Sequence, residues 1–176
     1  MNSIRLEVIL ILTFRDATAD DAALISRIFS TSWRTAYQGL ISADYLRRLP
    51  DDYWVPTLRS WLGSGRMYGL LALEDESPVG CVIFGRGRDA GYEDWGEIVS
   101  LYLLPERMRH GTGSRLLQEA LQLLREDGFP RCYLWSIRGN VIADRFYRKH
   151  GFSMTNEEVH YRIGGKDVTD VRFVLQ

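Results

Sequence analysis

Cysteine and histidine are scarce in this sequence, and their positions argue against two kinds of site. The chain has two cysteines, Cys81 and Cys132, each inside an apolar run, where a buried free thiol is more usual than half of a disulfide. The three histidines, His110, His150 and His160, show no spacing with cysteines or carboxylates that is typical of a metal site. We therefore expect no metal, no disulfide and a reducing compartment, the cytoplasm.

Excess charge of one sign is also missing. The formal net charge is −1, without the basic surplus that binding to nucleic acid or to an anionic membrane usually requires. The apolar run from Leu6 to Leu12 is too short to span a bilayer, contains Glu7 and is not followed by a signal-peptide cleavage site. We interpret the run as leading into a first strand, and we expect neither a nucleic-acid nor a membrane partner.

Enough apolar residues are present for one folded domain. Hydrophobic residues make up 45% of the 176 positions, without an internal repeat or low-complexity segment, so we expect a single domain over residues 1–176. The predicted elements follow the order strand, helices, three strands, helix, strand, helix and two strands. This order is typical of an α+β or mixed α/β domain with about seven strands.

Local patterns set the expected bounds in the first half of the chain. We predict a first strand over residues 9–15, and a helical piece over residues 52–62 in which Pro56 causes a kink or a late start. Strands over residues 67–74 and 79–85 should form a hairpin whose turn consists of acidic and proline residues.

The second half contains a loop and a terminal hairpin. Residues 87–94 are polar and predict a flexible loop. A short helix over residues 141–150 can be capped by Asn140. Strands over residues 159–163 and 167–175 flank a Gly-Gly pair that suits a tight two-residue turn.

The most informative stretch runs from Gly96 to Leu117. Its first part, Glu97 to Leu104, is apolar and β-prone, as is typical of a strand covered on both faces, and Pro105 ends it. Gly111 and Gly113 then precede apolar positions at helical spacing. Because the first N–H groups of a helix lack internal partners and the helix dipole favours negative charge there, the pattern predicts an anion site.

Two familiar nucleotide motifs do not fit this loop. A P-loop requires Gly-x-x-x-x-Gly-Lys-Ser/Thr, and neither the spacing nor the lysine is present. A dinucleotide fingerprint requires a third glycine where this chain has Leu116, and here the loop follows an antiparallel section late in the chain.

The loop instead resembles that of a known family. The pattern Pro-Glu-x-x-x-x-Gly-Thr-Gly-Ser-x-Leu-Leu at residues 105–117 is similar to the acetyl-CoA loop of the GCN5-related N-acetyltransferase (GNAT) superfamily. Residues 140–152, Asn-x-x-Ala-x-x-Phe-Tyr-x-x-x-Gly-Phe, resemble its second characteristic block, and residues 15–40 resemble the opening of many bacterial members. The resemblance covers nearly the whole chain. It implies a mostly antiparallel central sheet flanked by about four helices, with acetyl-CoA as cosubstrate.

The resemblance also implies how the coenzyme binds. Loop amides would hold the pyrophosphate, and the edge of the preceding strand would pair with the pantetheine arm, with a bulge freeing an amide for the thioester oxygen. Members usually carry Arg or Gln three residues before the first glycine, where this chain has Met108, so we expect somewhat weaker coenzyme binding. Arg107 and Arg109 could supply charge from a shifted register. The coenzyme-binding residues implied are Leu101, Tyr102, Leu103, Arg107, Met108, Arg109, His110, Gly111, Thr112, Gly113, Ser114, Asn140 and Tyr147.

Acetylation of an amine requires removal of a proton from the amine and protonation of the departing sulfur. Glu97 lies where histone-acetylating relatives carry a general base, but an ordinary exposed carboxylate paired with an arginine explains it equally well. Tyr147 matches the tyrosine that is thought to protonate the coenzyme sulfur. Asn140 could bond the pantetheine arm, cap its helix, or do both. Most aromatic residues should lie in the core, and Trp33 and Tyr37 are, with Glu97, the first candidates for the acceptor pocket.

We therefore expect a cytoplasmic N-acetyltransferase that moves an acetyl group from acetyl-CoA to a primary amine of a small molecule or peptide, by direct transfer in a ternary complex. The alternative is a non-catalytic acetyl-CoA-binding sensor or partner module. Asp89, Glu93 and Asp94 in the polar loop could attract a cationic amine, although a solvated loop is the simpler interpretation. The pattern does not identify the acceptor. An exposed sheet edge or the terminal hairpin could support a homodimer.

Overall fold

The structure is a computed structural model that describes residues 11–176, so the first two residues of the predicted opening strand lie outside the described part. Within this range are seven strands and five α-helices. The strands are β1 (Leu12–Asp16), β2 (Tyr68–Glu74), β3 (Ser77–Arg86), β4 (Gly96–Leu103), β5 (Cys132–Ile137), β6 (Ser153–Ile163) and β7 (Lys166–Leu175). The helices are α1 (Ala22–Ala36), α2 (Ala43–Arg48), α3 (Val55–Gly63), α4 (Thr112–Glu126) and α5 (Val141–Lys149).

All seven strands form one sheet in the order β1-β2-β3-β4-β5-β7-β6. Neighbouring strands are antiparallel except for β4 and β5, which are parallel. The predicted α+β class and mostly antiparallel sheet are confirmed. Five helices form instead of about four because α2 and α3 are separate short elements.

Helices cover both faces of the sheet. On one face α1 and α3 bury Ile25, Phe29 and Leu58 against the inner strands. On the other face α4 buries Leu116 and Leu117 in the larger core. Central strand β4 is thereby covered on both sides, as its continuous apolar sequence predicts. The two cysteines are buried and free, which agrees with the expectation from their apolar surroundings.

The parallel pair β4–β5 is short, and the strands then diverge. Only Gly96, Glu97 and Ile98 of β4 pair with β5, so the rest of β4 has a strand partner on its β3 side alone. The register with β3 shifts by one residue near Val99, because Ile83 pairs with Ser100 while Phe84 pairs with Ile98. This irregularity is a β-bulge, which bends a strand and increases its twist. The bulge expected in β4 is therefore present, and a gap opens between β4 and β5.

Three predicted boundaries need correction. The β2–β3 turn consists of Asp75 and Glu76 alone, both with positive φ (46° and 68°), and Pro78 lies within β3 beside a register irregularity that accommodates it. Helix α3 begins at Val55, so Pro56 lies in its first turn and causes a late start and not a kink. Strand β6 begins at Ser153, not at Val159, because pairing with β7 extends it where its side chains show no apolar alternation.

The loop over residues 87–95 is anchored to the sheet through Arg172, a buried residue of β7. The Arg172 guanidinium carbon lies 3.7 Å from the centre of the Tyr92 ring and 4.4 Å from that of Trp135. Arg172 Nε lies 2.7 Å from a Glu157 oxygen, and Nη1 lies 3.3 Å from Asp89 Oδ2. Neither N–H is aligned for a hydrogen bond, so charge and ring contacts hold this cluster. Asp89 is therefore engaged by the fold, unlike the freely solvated carboxylate that its loop predicted.

Replacing Arg172 by Met should lower the free energy of unfolding by about 2 to 3 kcal/mol, because two carboxylates and the aromatic rings lose the cation between them. We expect less than for a fully buried pair because the side chains of Asp89 and Glu157 are 36% and 47% exposed. Urea unfolding measures the change, and faster amide exchange in residues 88–94 should accompany it.

The matched control is Arg162→Met on β6, where an arginine that is 70% exposed pairs with Asp167. Such a surface pair should change stability by no more than about 0.5 kcal/mol. Equal losses in the two variants would show that Arg172 does not anchor the loop.

Candidate functional site

A cavity of about 1080 Å³ lies where β4 and β5 diverge. Its wall comprises parts of α1, the loop after β3, β4, the start of α4, β5, α5 and the β6–β7 pair. This volume slightly exceeds the roughly 300–1,000 Å³ that is common for ligand sites. The cavity therefore has room for an extended ligand together with a smaller one.

The N-terminus of α4 forms one end of the cavity. Gly111 precedes the helix in the left-handed conformation, with φ 88°, and no side chain caps the helix. Gly113 lets α4 approach β4 closely, since a Cβ there would lie 3.3 Å from Leu103 Cδ1. The first amides have no partner within the helix, and Arg109 and Lys149 add positive charge to the lining. This end fits an anionic group.

Glu74 supports the same loop from a buried position at the end of β2. The Thr112 hydroxyl donates to Glu74 Oε1 at 3.5 Å, and Arg107 Nη1 lies 3.3 Å from Oε2. The Arg107 contact is a charge contact without an aligned hydrogen bond. The side chains of Arg107 and Thr112 thus hold the loop in place through Glu74, and neither residue is in the cavity wall. Their contact with the coenzyme, which the backbone amide of Thr112 could still make, stays a prediction.

The unpaired edge of β4 runs along the middle of the cavity. The Ser32 hydroxyl donates to the Leu103 carbonyl oxygen at 2.6 Å, which ties α1 to the end of the strand. Ser100 Oγ is buried and has no hydrogen-bond partner within residues 11–176. An exposed strand edge of this kind can pair with the amide groups of an extended ligand.

Aromatic side chains form the other end. Trp33 Nε1 donates to the Tyr102 hydroxyl at 2.9 Å, and that hydroxyl lies 3.0 Å from the Tyr37 hydroxyl. The rings of Trp33 and Tyr37 pack edge to face at 4.8 Å. Burial raises the pKa of Tyr37 and raises that of Tyr102 to about 12. Both phenols therefore stay protonated at neutral pH.

Glu97 lies at the start of β4, in the wall of the cavity, and is only 2% exposed. Arg88 Nη2 donates to Glu97 Oε1 at 2.6 Å and Nε donates to Oε2 at 2.8 Å. This two-point pairing fixes the position of the carboxylate. The sequence left open whether Glu97 is a general base or an exposed carboxylate paired with an arginine. The structure shows the arginine partner, but the Glu97 side chain is buried.

Helix α5 brings Asn140 and Tyr147 to the cavity. Asn140 Oδ1 accepts a hydrogen bond from the Ala143 amide at 3.2 Å, which confirms the helix cap. The Tyr147 ring packs near Phe152 and Phe173, with ring centres 5.7 and 6.1 Å away. Burial raises the pKa of Tyr147, so its hydroxyl keeps its proton at neutral pH.

Most of the residues predicted for the site meet in this one cavity. Those in its wall are Trp33, Tyr37, Glu97, Leu101, Tyr102, Leu103, Met108, Arg109, Gly111, Gly113, Ser114, Asn140 and Tyr147. Arg107 and Thr112 contact Glu74 instead, and His110 is exposed outside the wall.

Sequence reasoning missed several residues of the wall. These are chiefly Arg88, Ser100, Trp135, Tyr161 and Asp170. None of them belongs to a motif, and Arg88, Tyr161 and Asp170 come from the loop and the terminal hairpin, far from the glycine loop in sequence. The acidic character of the loop was the one signal that pointed to its neighbourhood.

Two further findings concern the part of the chain from residue 11 onward. There, no group of three or more His, Cys, Asp or Glu side chains is placed to hold a metal ion. None of the described helices is long and apolar enough to cross a membrane.

Comparisons with known proteins agree with this geometry. A sequence model of the acetyltransferase (GNAT) family matches residues 28–152. An uncharacterized N-acetyltransferase of Bacillus subtilis, YuaI, is 33% identical over 157 residues, which cover 84% of this chain and 85% of the relative. A spermidine N(1)-acetyltransferase of Thermoplasma acidophilum is 23% identical, with 82% of this chain and 89% of that protein covered.

A solved structure has the same fold. The PaiA N-acetyltransferase from Thermoplasma acidophilum, in complex with coenzyme A, superposes with a TM-score of 0.73 at 22% identity, covering 91% of this chain and 98% of that one. The family match spans well over half of the 176 residues. The chain therefore belongs to the acetyltransferase (GNAT) family and is an N-acetyltransferase that uses acetyl-CoA.

Proposed function

We propose that this cavity binds acetyl-CoA at the N-terminus of α4 and an amine at its aromatic end, and that the acetyl group passes directly between them in a ternary complex. The observation that carries this proposal is the continuity of the cavity: one space joins the anion-binding helix end to the aromatic end, with Glu97 and Tyr147 in its wall. Direct transfer requires both reactants in one space, held in reactive orientation.

The residues for the donor follow from the wall. Amides of Gly111 to Ser114 would bind the pyrophosphate, and Arg109 would add charge. The unpaired edge of β4, from Leu101 to Leu103, and the side chain of Asn140 would bind the pantetheine arm. Acetyl-CoA itself supplies an acetyl group activated as a thioester. Because backbone amides supply most of these contacts, Met108 in place of Arg or Gln should weaken coenzyme binding without abolishing it.

The acceptor is an amine, and we propose a primary amine of a small molecule or of a peptide. The spermidine acetyltransferase among the relatives supports an amine acceptor in general. A screen of amines with acetyl-CoA, followed by release of free thiol, tests the enzyme function. Cys81 and Cys132 are buried and should contribute little background to a thiol reagent. If acetyl-CoA stabilises the protein against heat but no amine in a broad panel raises thiol release above background, this proposal fails.

We propose Tyr147 as the group that protonates the sulfur, because its hydroxyl is protonated at neutral pH and lies in the cavity wall. Tyr147→Phe removes the hydroxyl and keeps the ring that packs near Phe173. Turnover should fall by about 100-fold or more, as is common when a general acid is lost, while the dissociation constant of acetyl-CoA changes by no more than about twofold.

The matched control for this prediction is Tyr68→Phe, at an exposed tyrosine of β2. It should leave both constants unchanged. Unchanged turnover in Tyr147→Phe would remove Tyr147 from the acid role, and a selective loss of acetyl-CoA affinity would make it a binding residue.

We propose Glu97 as the proton acceptor, directly or through water. Arg88 holds the carboxylate in the cavity wall through two hydrogen bonds. Glu97→Gln should therefore reduce turnover most at low pH, where unprotonated amine is scarcest. A pH–rate profile that matches the parent would assign the role to another group or to water. Urea unfolding of the same variant separates lost chemistry from lost pairing with Arg88.

A homodimer remains a prediction. Strand β6 is an edge of the sheet. An unpaired edge strand can pair with another chain, which is consistent with the expectation from the terminal hairpin.

A further inference from the structure

We propose that Asp170 binds the ammonium group of the acceptor, and that the acceptor is a compact primary amine with a single positive charge beside an aromatic or apolar body. This inference rests on the proposed function and names its substrate class. It starts from a carboxylate in the cavity wall that the coenzyme site does not use.

The Asp170 carboxylate lacks a cation partner in the described residues, and one of its oxygens lacks a hydrogen-bond donor. Its Oδ1 is buried and has no hydrogen-bond partner in the described structure. No Arg, Lys or His of residues 11–176 lies within ion-pair distance of it. Arg172, two residues further along β7, is already paired with Asp89 and Glu157. Buried polar atoms in folded proteins almost always have a partner, so a donor from outside the chain fits this position.

The surroundings of Asp170 favour a cation. Burial raises the pKa of Asp170, and hydrogen bonding with the Tyr161 hydroxyl partly offsets that effect. Tyr37 and Tyr102 lie close enough for the Asp170 charge to raise their pKa values as well. A bound ammonium would stabilise the ionised carboxylate, and the faces of Trp33 and the tyrosine rings can add cation–π attraction.

The charge balance of the cavity limits the acceptor to one ammonium. The lining has two other carboxylates, Glu97 and Asp89. Glu97 is paired with Arg88, and Asp89 accepts from Trp135 Nε1 at 2.7 Å and lies against Arg172. A second ammonium would find no free carboxylate in this wall and would be repelled by Arg88. Polyamines should therefore bind less well than monoamines.

Aromatic side chains in the cavity wall favour a particular shape for the uncharged part of the acceptor. Trp33, Tyr37, Tyr102, Trp135 and Tyr161 enclose this end, and such walls favour a flat or branched apolar body over a hydrated chain. The probe that combines both properties is 2-phenylethylamine. Its neutral counterpart, 2-phenylethanol, has the same body without the positive charge.

Isothermal titration calorimetry, with and without saturating coenzyme A, tests the inference. The unaltered protein should bind 2-phenylethylamine at least about tenfold more tightly than 2-phenylethanol, because a charge-assisted hydrogen bond is worth about that factor or more. It should also bind 2-phenylethylamine more tightly than spermidine, because the further ammonium groups of spermidine find no free carboxylate in the wall. Asp170→Asn should abolish the preference for the amine over the alcohol. Asp167→Asn, on the same strand with a side chain that is 91% exposed, should keep it.

Equal binding of amine and alcohol by the unaltered protein would overturn the inference without recourse to any variant. Tighter binding of spermidine, an unchanged preference in Asp170→Asn, or no binding of 2-phenylethylamine would also overturn it. Thiol release from acetyl-CoA separates the two proposals. Acetylation of other amines at a rate that Asp170→Asn does not change would leave the enzyme function standing and refute Asp170. Binding that selects the amine over the alcohol, without thiol release for any amine, would support Asp170 and refute the enzyme function.

Discussion

The site depends on the early end of the parallel β4–β5 pairing. After Ile98 the pairing of the two strands ends, and a bulge near Val99 bends β4 at this point. A continuous seven-stranded sheet would have buried the edge of β4 and filled the space that is now the cavity. The divergence leaves backbone groups of β4 unpaired and brings α4, α5 and the terminal hairpin around one opening. The two faces of the sheet therefore stay covered by helices, while the cavity between β4 and β5 remains accessible to a ligand.

Ion pairs and hydrogen bonds of charged side chains hold the segments around the cavity in place. Glu74 holds the loop before α4 through Arg107 and Thr112, Glu97 pairs with Arg88, and Arg172 holds the loop that carries Arg88. Each of these charges has a partner from a different part of the chain, as an ion removed from water requires. Asp170 lacks such a partner within the described residues, and it lies in the cavity.

The two glycines of the family loop have separate physical tasks. Gly111 adopts a positive φ with open space around its Cβ position, so backbone conformation selects glycine there. Gly113 lies where α4 and β4 approach closely, so the absence of a side chain selects it. Together they leave the first amides of α4 facing the cavity. A coenzyme site of the kind proposed here would be largely a backbone site, which is compatible with Met108 where family members usually carry Arg or Gln.

The sequence by itself determined the fold class, most elements, the glycine loop, the Asn140 cap and the family, because these depend on local periodicity and on residues close together in the chain. It also named Glu97, Tyr147, Trp33 and Tyr37, all of which line the cavity. Tertiary structure alone decided that Arg107 and Thr112 support the loop, that Glu97 is buried against Arg88, and that Asp170 lies beside the tyrosines without a cation partner in the described residues. Those facts follow from contacts between separate elements of the fold, where strand order and the β4–β5 divergence, not local pattern, set which side chains meet.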